Sequence, residues 1–328
     1  MRLPHLVLLA TGGTIAGQST QPTDTIGYVS GQIDVQDLVH QVPGLSQLAH
    51  LQAEQFCQIG SEDMTPALWL SLSRQIASLL EQPNVDGVVI LHGTDTLEET
   101  AYFLHLTVKS TKPIVLTGAM RPATALSADG PMNLYQAVQV AADRRSVGKG
   151  VLVVMENYIF DARSVTKLAT HAPSAFLGLQ GSIGFLNGPQ VYYTSKPTRL
   201  HTQQSTFDIR GLQALPPVCI LYQYAGSEDA FWAQACASYS GIVLACVGNG
   251  SLNAAMQKAL GALSDSPVIV RSSRSPFGGV PHDGEISDRH LHTIAAGDLS
   301  PQKARILLQL CLTQTKDLQE IQAFFDQY

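Results

Sequence analysis

The chain has 328 residues, of which 45% are hydrophobic and 14% charged, with a formal net charge of −6. That length accommodates two ordinary domains, and the composition is that of a globular protein able to bury a large core. A negative balance without a block of like charges excludes the usual nucleic-acid footprint, and no apolar run approaches a membrane span, so neither nucleic acid nor membrane is expected as a partner.

Leu6 to Leu9 reads as a buried first strand that breaks abruptly into Thr11-Gly12-Gly13-Thr14-Ile15-Ala16-Gly17. In an open α/β sheet, ligands bind beyond the carboxyl ends of the strands. Paired glycines there let backbone N–H groups come close to a ligand. Thr14 then presents its hydroxyl to the cleft and is a candidate nucleophile. Gly12 to Gly17 also has the outer spacing of a phosphate-binding loop, but Gln18 and Ser19 stand where that loop needs Lys followed by Ser or Thr. A tight turn without chemistry is the plain alternative. The N-terminus resembles a leader only superficially, because its short apolar segment runs into the glycine loop instead of a cleavage site. As written, the chain is expected to be cytoplasmic, or periplasmic if Met1 marks a mature N-terminus.

Gln18 to Thr25 holds no large apolar residue and suits a mobile lid, which Tyr28 closes with a second hydroxyl. Ile33, Val35, Leu38 and Val39 follow as an apolar pattern. Phe56 to Ile59 leads into Ser61 and Glu62, and Thr65-Pro66 supplies an N-cap and a first-turn proline. The helix beyond carries Trp69, Leu72, Ile76, Leu79 and Leu80 at helical spacing. Val88 to Leu91 is a fully apolar strand, followed at once by His92-Gly93-Thr94-Asp95-Thr96-Leu97-Glu98-Glu99-Thr100 and another helix. Thr94 and Asp95 are adjacent polar groups at a strand end. Asp95 or Thr96 also suits a helix cap, and His92 a structural hydrogen bond.

Ile114 to Leu116 and Val151 to Met155 are further strands, with a helix from Met132 to Ala142 between them. Strand and helix alternate as in βαβ units, which predicts a parallel sheet covered on both faces. Thr194 to Thr206 has linker composition. Val218 to Leu221, Ile242 to Val247 and Val268 to Val270 are strands of a second, smaller α/β domain, closed by helices over Ala304 to Leu312 and Leu318 to Phe325. Its ligand-edge loops are Gly248-Asn249-Gly250-Ser251 and Arg271-Ser272-Ser273-Arg274, with Glu285 in the loop from Pro276 to Asp288. The domains are therefore 1–193 and 214–328, joined by a linker over 194–213. The five cysteines, Cys57, Cys219, Cys236, Cys246 and Cys311, show no metal-ligand spacing, and there is no dinucleotide fingerprint, so neither metal nor cofactor is expected.

Thr14, Tyr28, Ser61, Glu62, Thr94 and Asp95 thus collect at one sheet edge. A threonine hydroxyl becomes a nucleophile when a neighbouring base takes its proton, and turn N–H groups suit an oxyanion. Two carboxylates with Ser61 suit a small zwitterion. The residues by themselves point to acyl transfer or hydrolysis on a small polar substrate, with a non-catalytic two-domain binding module as the alternative.

Thr11 to Gly17 and His92 to Ala101 resemble the two signatures of bacterial-type L-asparaginases, closest to the type II branch. The likeness continues through Ile59-Gly60-Ser61-Glu62-Asp63-Met64, Gly118-Ala119-Met120-Arg121-Pro122, Ser127-Ala128-Asp129-Gly130-Pro131, Gly248-Asn249-Gly250 and Arg271-Ser272-Ser273-Arg274. It implies an α/β fold, with a flavodoxin-like N-terminal domain and a smaller α/β C-terminal domain, assembled as a homotetramer of intimate dimers. It implies hydrolysis of L-asparagine to L-aspartate and ammonia through an acyl-enzyme on Thr14. Tyr28 pairs with Thr14 in this family pattern, and Thr94 with Asp95 and Lys167. Ser61, Glu62, Thr94, Asp95 and Ala119 belong to substrate binding, with Asn249 and Glu285 reaching the site from the neighbouring subunit. Glu62 stands where many asparagine-selective members carry Gln, which implies glutaminase activity as well. Ser164 replaces an Asp of several relatives. The rival readings are an amidotransferase subunit sharing both signatures, which usually carries an extra N-terminal domain, and a catalytically dead binding protein, which would lack Thr14, Thr94 or Lys167.

Overall fold

The computed structural model describes residues 2–29, 31–227, 231–263 and 267–328. Two compact units divide at Arg210 and Gly211.

The first unit begins with β1 (His5–Gly12), α1 (Val35–His40), α2 (Leu45–Leu48) and β2 (His50–Ile59). Then come α3 (Pro66–Glu81), β3 (Gly87–Leu91), α4 (Leu97–Thr107), β4 (Ile114–Thr117), α5 (Gly130–Ala142) and β5 (Val151–Met155). The strands β2, β1, β3, β4 and β5 lie side by side in that order, all parallel. This is the flavodoxin-type order, with its reversal of direction between β1 and β3, the place where such sheets open a ligand crevice.

Alternation along β1 explains how both faces are sealed. Leu6, Leu8 and Ala10 join Val35, Leu38, Leu134, Ala137 and Val138 of α1 and α5 in one core. Val7 and Leu9 face Leu72, Ile76, Leu97, Ala101 and Leu104 of α3 and α4 in the other. Successive strand residues point to opposite faces, so a strand buried on both sides must be apolar throughout. Thr65 caps α3 by accepting from the Leu68 N–H at 3.3 Å, with Pro66 at its first position.

Beyond β5 the sheet continues with strands that the hydrophobic pattern does not reveal. β6 (Tyr158–Asp161), β9 (Gly184–Asn187) and β10 (Gln190–Tyr193) extend it antiparallel, while β7 (Val165–Lys167) and β8 (Phe176–Gly178) form a separate hairpin. Each is only three or four residues long, too short for a period-two signal to stand out. The polar stretch after β10 folds onto this unit as far as Arg210. His201 and Ser205 are buried, the rings of His105 and His201 lie 4.8 Å apart, and Ser205 Oγ donates to Leu106 O at 2.5 Å.

The second unit holds β11 (Val218–Tyr222), α6 (Trp232–Ser238), β12 (Gly241–Cys246), α7 (Ala254–Gly261) and β13 (Val268–Ser273). It closes with α8 (Asp288–Leu291), β14 (Thr293–Ala295), α9 (Pro301–Cys311) and α10 (Leu318–Gln327). Its four strands are parallel and lie in sequence order. Ser300 caps α9, accepting from the Lys303 N–H at 3.4 Å. All five cysteines are free thiols. No described helix is long and apolar enough to cross a membrane.

Candidate active site

Three strand-end loops converge at the β1/β3 reversal. After β1 the chain turns through Gly12 and Gly13 into a short 3-10 turn, Thr14–Ala16. Gly13 has φ +79°, and a Cβ on it would lie 2.3 Å from Gly93 Cα in the loop after β3. Replacing Gly13 by alanine therefore combines left-handed backbone strain with a main-chain collision. Gly13→Ala is expected to destabilise the protein by about 2–4 kcal/mol, read as a lowered Tm in thermal denaturation. An unchanged Tm would contradict this close approach.

Thr14 is buried and its Oγ1 lies 2.7 Å from Tyr28 OH. Tyr28 is brought there by the segment expected as a lid. Paired Gln18–Val29 backbone hydrogen bonds of 3.1 and 3.0 Å close the segment's base. The Ser19 N–H donates to Thr124 Oγ1 at 2.9 Å, and the Leu126 N–H to Pro22 O at 3.0 Å. The Asp24 carboxylate accepts the N–H groups of Gly27 and Ile26, which hold its pKa below the usual carboxylate value.

The turn's N–H groups are not equivalent. Gly13 N–H is spent on Ile59 O at 2.9 Å, so it is no oxyanion donor. Those of Thr14 and Ile15 open the 3-10 turn, where a helix leaves its first donors without intrahelical acceptors.

The second hydroxyl, Thr94 Oγ1, accepts from Lys167 Nζ at 2.9 Å, and the same nitrogen lies 2.5 Å from Asp95 Oδ1. Thr94 is buried and the Lys167 side chain is only 15% exposed, whereas that of Asp95 is 65% exposed. Ser61 joins this loop: its Oγ accepts the Asp95 N–H at 3.1 Å, and its carbonyl accepts Thr96 Oγ1 at 2.7 Å. Thr96 occupies the cap position of α4 without a capping side-chain bond, so its hydroxyl ties loops together instead. Glu62, beside Ser61, is exposed. Ala119 is fully buried, in a loop fixed by Asp129, whose carboxylate accepts the N–H groups of Met120 and Arg121 at 2.8 and 2.9 Å.

Two buried residues support these loops. Glu98 is buried in the first turn of α4 and accepts the Lys167 N–H at 2.6 Å, pinning the strand that delivers the lysine. His92 is fully buried between Thr100 and the Gly93 carbonyl, the structural role its place before Gly93 suggests.

In the second unit, Asn249 and Glu285 are both exposed on loops, and Ser251 Oγ donates to Glu285 Oε2 at 2.7 Å. Arg271 and Ser272 lie within β13 and are buried, where the sequence had suggested a loop. Among the described residues, His282, Asp283 and Asp288 bring metal-ligand atoms together, but both Asp288 oxygens are already engaged by N–H and O–H donors.

Residues 5–199 match the family model for the asparaginase N-terminal domain, and residues 217–325 that for the glutaminase/asparaginase C-terminal domain. The chain belongs to the asparaginase family. It is 48% identical to the "Probable L-asparaginase periplasmic" of Haemophilus influenzae, over 99% of this chain and 93% of that protein. It is 43% identical to the "Glutaminase-asparaginase" of Pseudomonas fluorescens, over 100% of this chain and 91% of the relative. Among solved structures, the "Probable Cytoplasmic L-asparaginase" of Campylobacter jejuni superposes with a TM-score of 0.94 at 41% identity, covering 99% of this chain and 100% of that one. The two hydroxyl-bearing loops of this asparaginase-family chain therefore sit at the sheet reversal of a fold shared with a solved relative.

Proposed function

We propose that this protein is an amidohydrolase that converts L-asparagine to L-aspartate and ammonia, and that also hydrolyses L-glutamine. The observation that carries the reading is the contact between Thr14 Oγ1 and Tyr28 OH at the β1/β3 reversal. A buried threonine hydroxyl held against a proton-exchanging partner at the ligand crevice is what acyl transfer requires.

In the proposed reaction Thr14 Oγ1 forms a bond to the side-chain carboxamide carbon while its proton leaves through Tyr28. The carbonyl oxygen becomes an oxyanion, held by the Thr14 N–H at the start of the turn. The carbon–nitrogen bond then breaks, the nitrogen takes the proton that left through Tyr28 and departs as ammonia, and Thr14 carries the acyl ester. Thr94 orients the water that cleaves that ester and passes its proton to the Lys167–Asp95 pair, while Thr14 Oγ1 leaves the acyl carbon and takes up a proton in return, restoring its hydroxyl. Ser61, Glu62 and Asp95 bind the amino-acid head group, and Ala119 belongs to the same substrate pocket. Asn249 and Glu285 complete the pocket from a neighbouring subunit of a homotetramer built as a dimer of dimers. Support for the glutamine activity comes from Glu62 and from the name of the Pseudomonas relative.

Ammonia release from L-asparagine and L-glutamine, measured side by side, tests the reading. Wild type should act on both, and Thr14→Ala should lose activity on both by at least about 10³-fold. Silence on both substrates in folded wild type overturns the proposal, and a glutamine rate at background removes the second substrate. Asparagine activity surviving in Thr14→Ala removes Thr14 as the nucleophile.

A further inference from the structure

The second unit contains a fully buried ion pair that the proposed reaction does not use. Arg271 on β13 and Asp288 at the start of α8 have side chains only 1% exposed each. Arg271 Nε and Nη2 donate to the two carboxylate oxygens of Asp288 at 2.8 and 2.6 Å. A buried pair of this kind rarely adds net stability over apolar residues of equal volume, because desolvation offsets the attraction. Its remaining bonds show what it does.

Arg271 Nη1 donates to Gly250 O at 2.9 Å, and Nη2 also reaches Pro281 O at 3.3 Å. Gly250 follows Asn249, and Pro281 lies in the loop that carries Glu285. Asp288 in turn accepts the Asp283 N–H at 2.8 Å and Thr293 Oγ1 at 2.5 Å. One guanidinium–carboxylate pair thus fixes the backbone of both loops. The Ser251–Glu285 hydrogen bond ties the same loops together at their exposed side. The loops are built around the guanidinium: Gly250 has φ +90°, and a Cβ there would lie 2.6 Å from Arg271 Nη1 and 2.5 Å from Val280 Cγ1. Burial pushes the Asp288 carboxyl up, but hydrogen bonds from Arg271, Thr293 and the Asp283 N–H outweigh that and keep it below the usual carboxylate value.

We propose that Arg271 and Asp288 are positioning residues for substrate binding, a buried clamp that sets Asn249 and Glu285 in register with each other. The inference rests on the reading that those two residues reach the substrate of a neighbouring subunit. Lysine keeps the charge of arginine but, as a single compact donor group, cannot bridge a carboxylate and two carbonyls in fixed directions.

The test is steady-state hydrolysis of L-asparagine by Arg271→Lys and Asp288→Asn, with Asn249→Ala and Glu285→Ala as reference variants. In the oligomeric enzyme, Arg271→Lys and Asp288→Asn should each raise KM about tenfold while kcat stays within about twofold, the signature of a lost binding contact. A merely structural pair would lower Tm and leave the KM of the folded enzyme unchanged, which overturns the inference. So does failure of both variants to assemble, since the pair would then serve folding. If Asn249→Ala and Glu285→Ala themselves leave KM unchanged, the shared-site reading fails instead. If they raise KM while the clamp variants do not, the clamp alone fails.

Discussion

Lys167→Met is expected to lower kcat for asparagine by roughly 10²–10⁴-fold, the usual range for losing a positioned proton-transfer group. Methionine retains the length and apolar bulk of the lysine stem, so the hairpin of β7 and β8 keeps its packing. What it removes is the nitrogen that touches Thr94 Oγ1 at 2.9 Å and Asp95 Oδ1 at 2.5 Å. The cost to stability should be small, because the Asp95 side chain is 65% exposed and an ion pair with a solvated partner contributes about 0–1 kcal/mol. Activity and stability therefore separate: kcat falls by orders of magnitude while Tm barely moves. Single-turnover measurement locates the defect further. With Lys167 acting on the water step, the acyl-enzyme on Thr14 accumulates in Lys167→Met, visible as a mass increase on the intact protein. A kcat within about tenfold of wild type would remove Lys167 from the proposed chemistry.

The contrast between Thr14 and Lys167 shows what a sequence displays and what it hides. Thr14 and Thr94 each follow a continuous apolar strand and a glycine, so strand, turn and polar group are adjacent in the chain and the ligand edge is legible from spacing. Lys167 arrives from a three-residue strand more than seventy positions beyond Thr94, after a peptide whose composition is that of any solvated surface. Only its resemblance to a family pattern singled it out. Glu98 has the same difficulty: an acidic residue in a first turn reads as helix-end electrostatics, and its bond to the Lys167 N–H depends on a hairpin too short to leave a pattern. Arg271 did leave a signal. It continues the apolar run Val268, Val270 inside a parallel strand, and a charge at a position buried on both faces requires a paired counter-charge. Nothing in the sequence marks Asp288, seventeen residues on, as that partner. The antiparallel strands β6, β9 and β10 are too short to leave a pattern in the sequence.

The loop carrying Thr94 rests on His92, and this predicts a pH dependence of stability. Gly93 O only accepts, so His92 Nδ1 carries its proton and donates to it at 2.7 Å, leaving Nε2 to accept from Thr100 Oγ1 at 2.9 Å. Thr100 in turn receives the Trp69 indole N–H at 2.8 Å. This chain of bonds runs from α3 through α4 to the loop after β3, and full burial of the ring favours its neutral form. Burial pushes the His92 pKa down to about 4, with the Gly93 carbonyl opposing the shift only in part. In the unfolded chain the group titrates near its ordinary value of about 6.5. Above that value both states are neutral and His92 contributes no pH dependence. Below it the unfolded state binds a proton that the folded state refuses, so stability falls as pH drops, by about 1.4 kcal/mol per unit until the folded group also titrates. The accumulated loss between pH 7.5 and pH 4 is about 3 kcal/mol from this one residue. His92→Gln offers an amide N–H toward Gly93 O and a carbonyl toward Thr100 without a titrating group. Urea unfolding at both pH values should therefore show a markedly smaller acid-side loss in His92→Gln than in wild type, the carboxylates and His201 being common to both. Equal losses in the two proteins would mean that His92 accepts its proton in the folded state as readily as in the unfolded one, contrary to the desolvation cost of charging a fully buried imidazole.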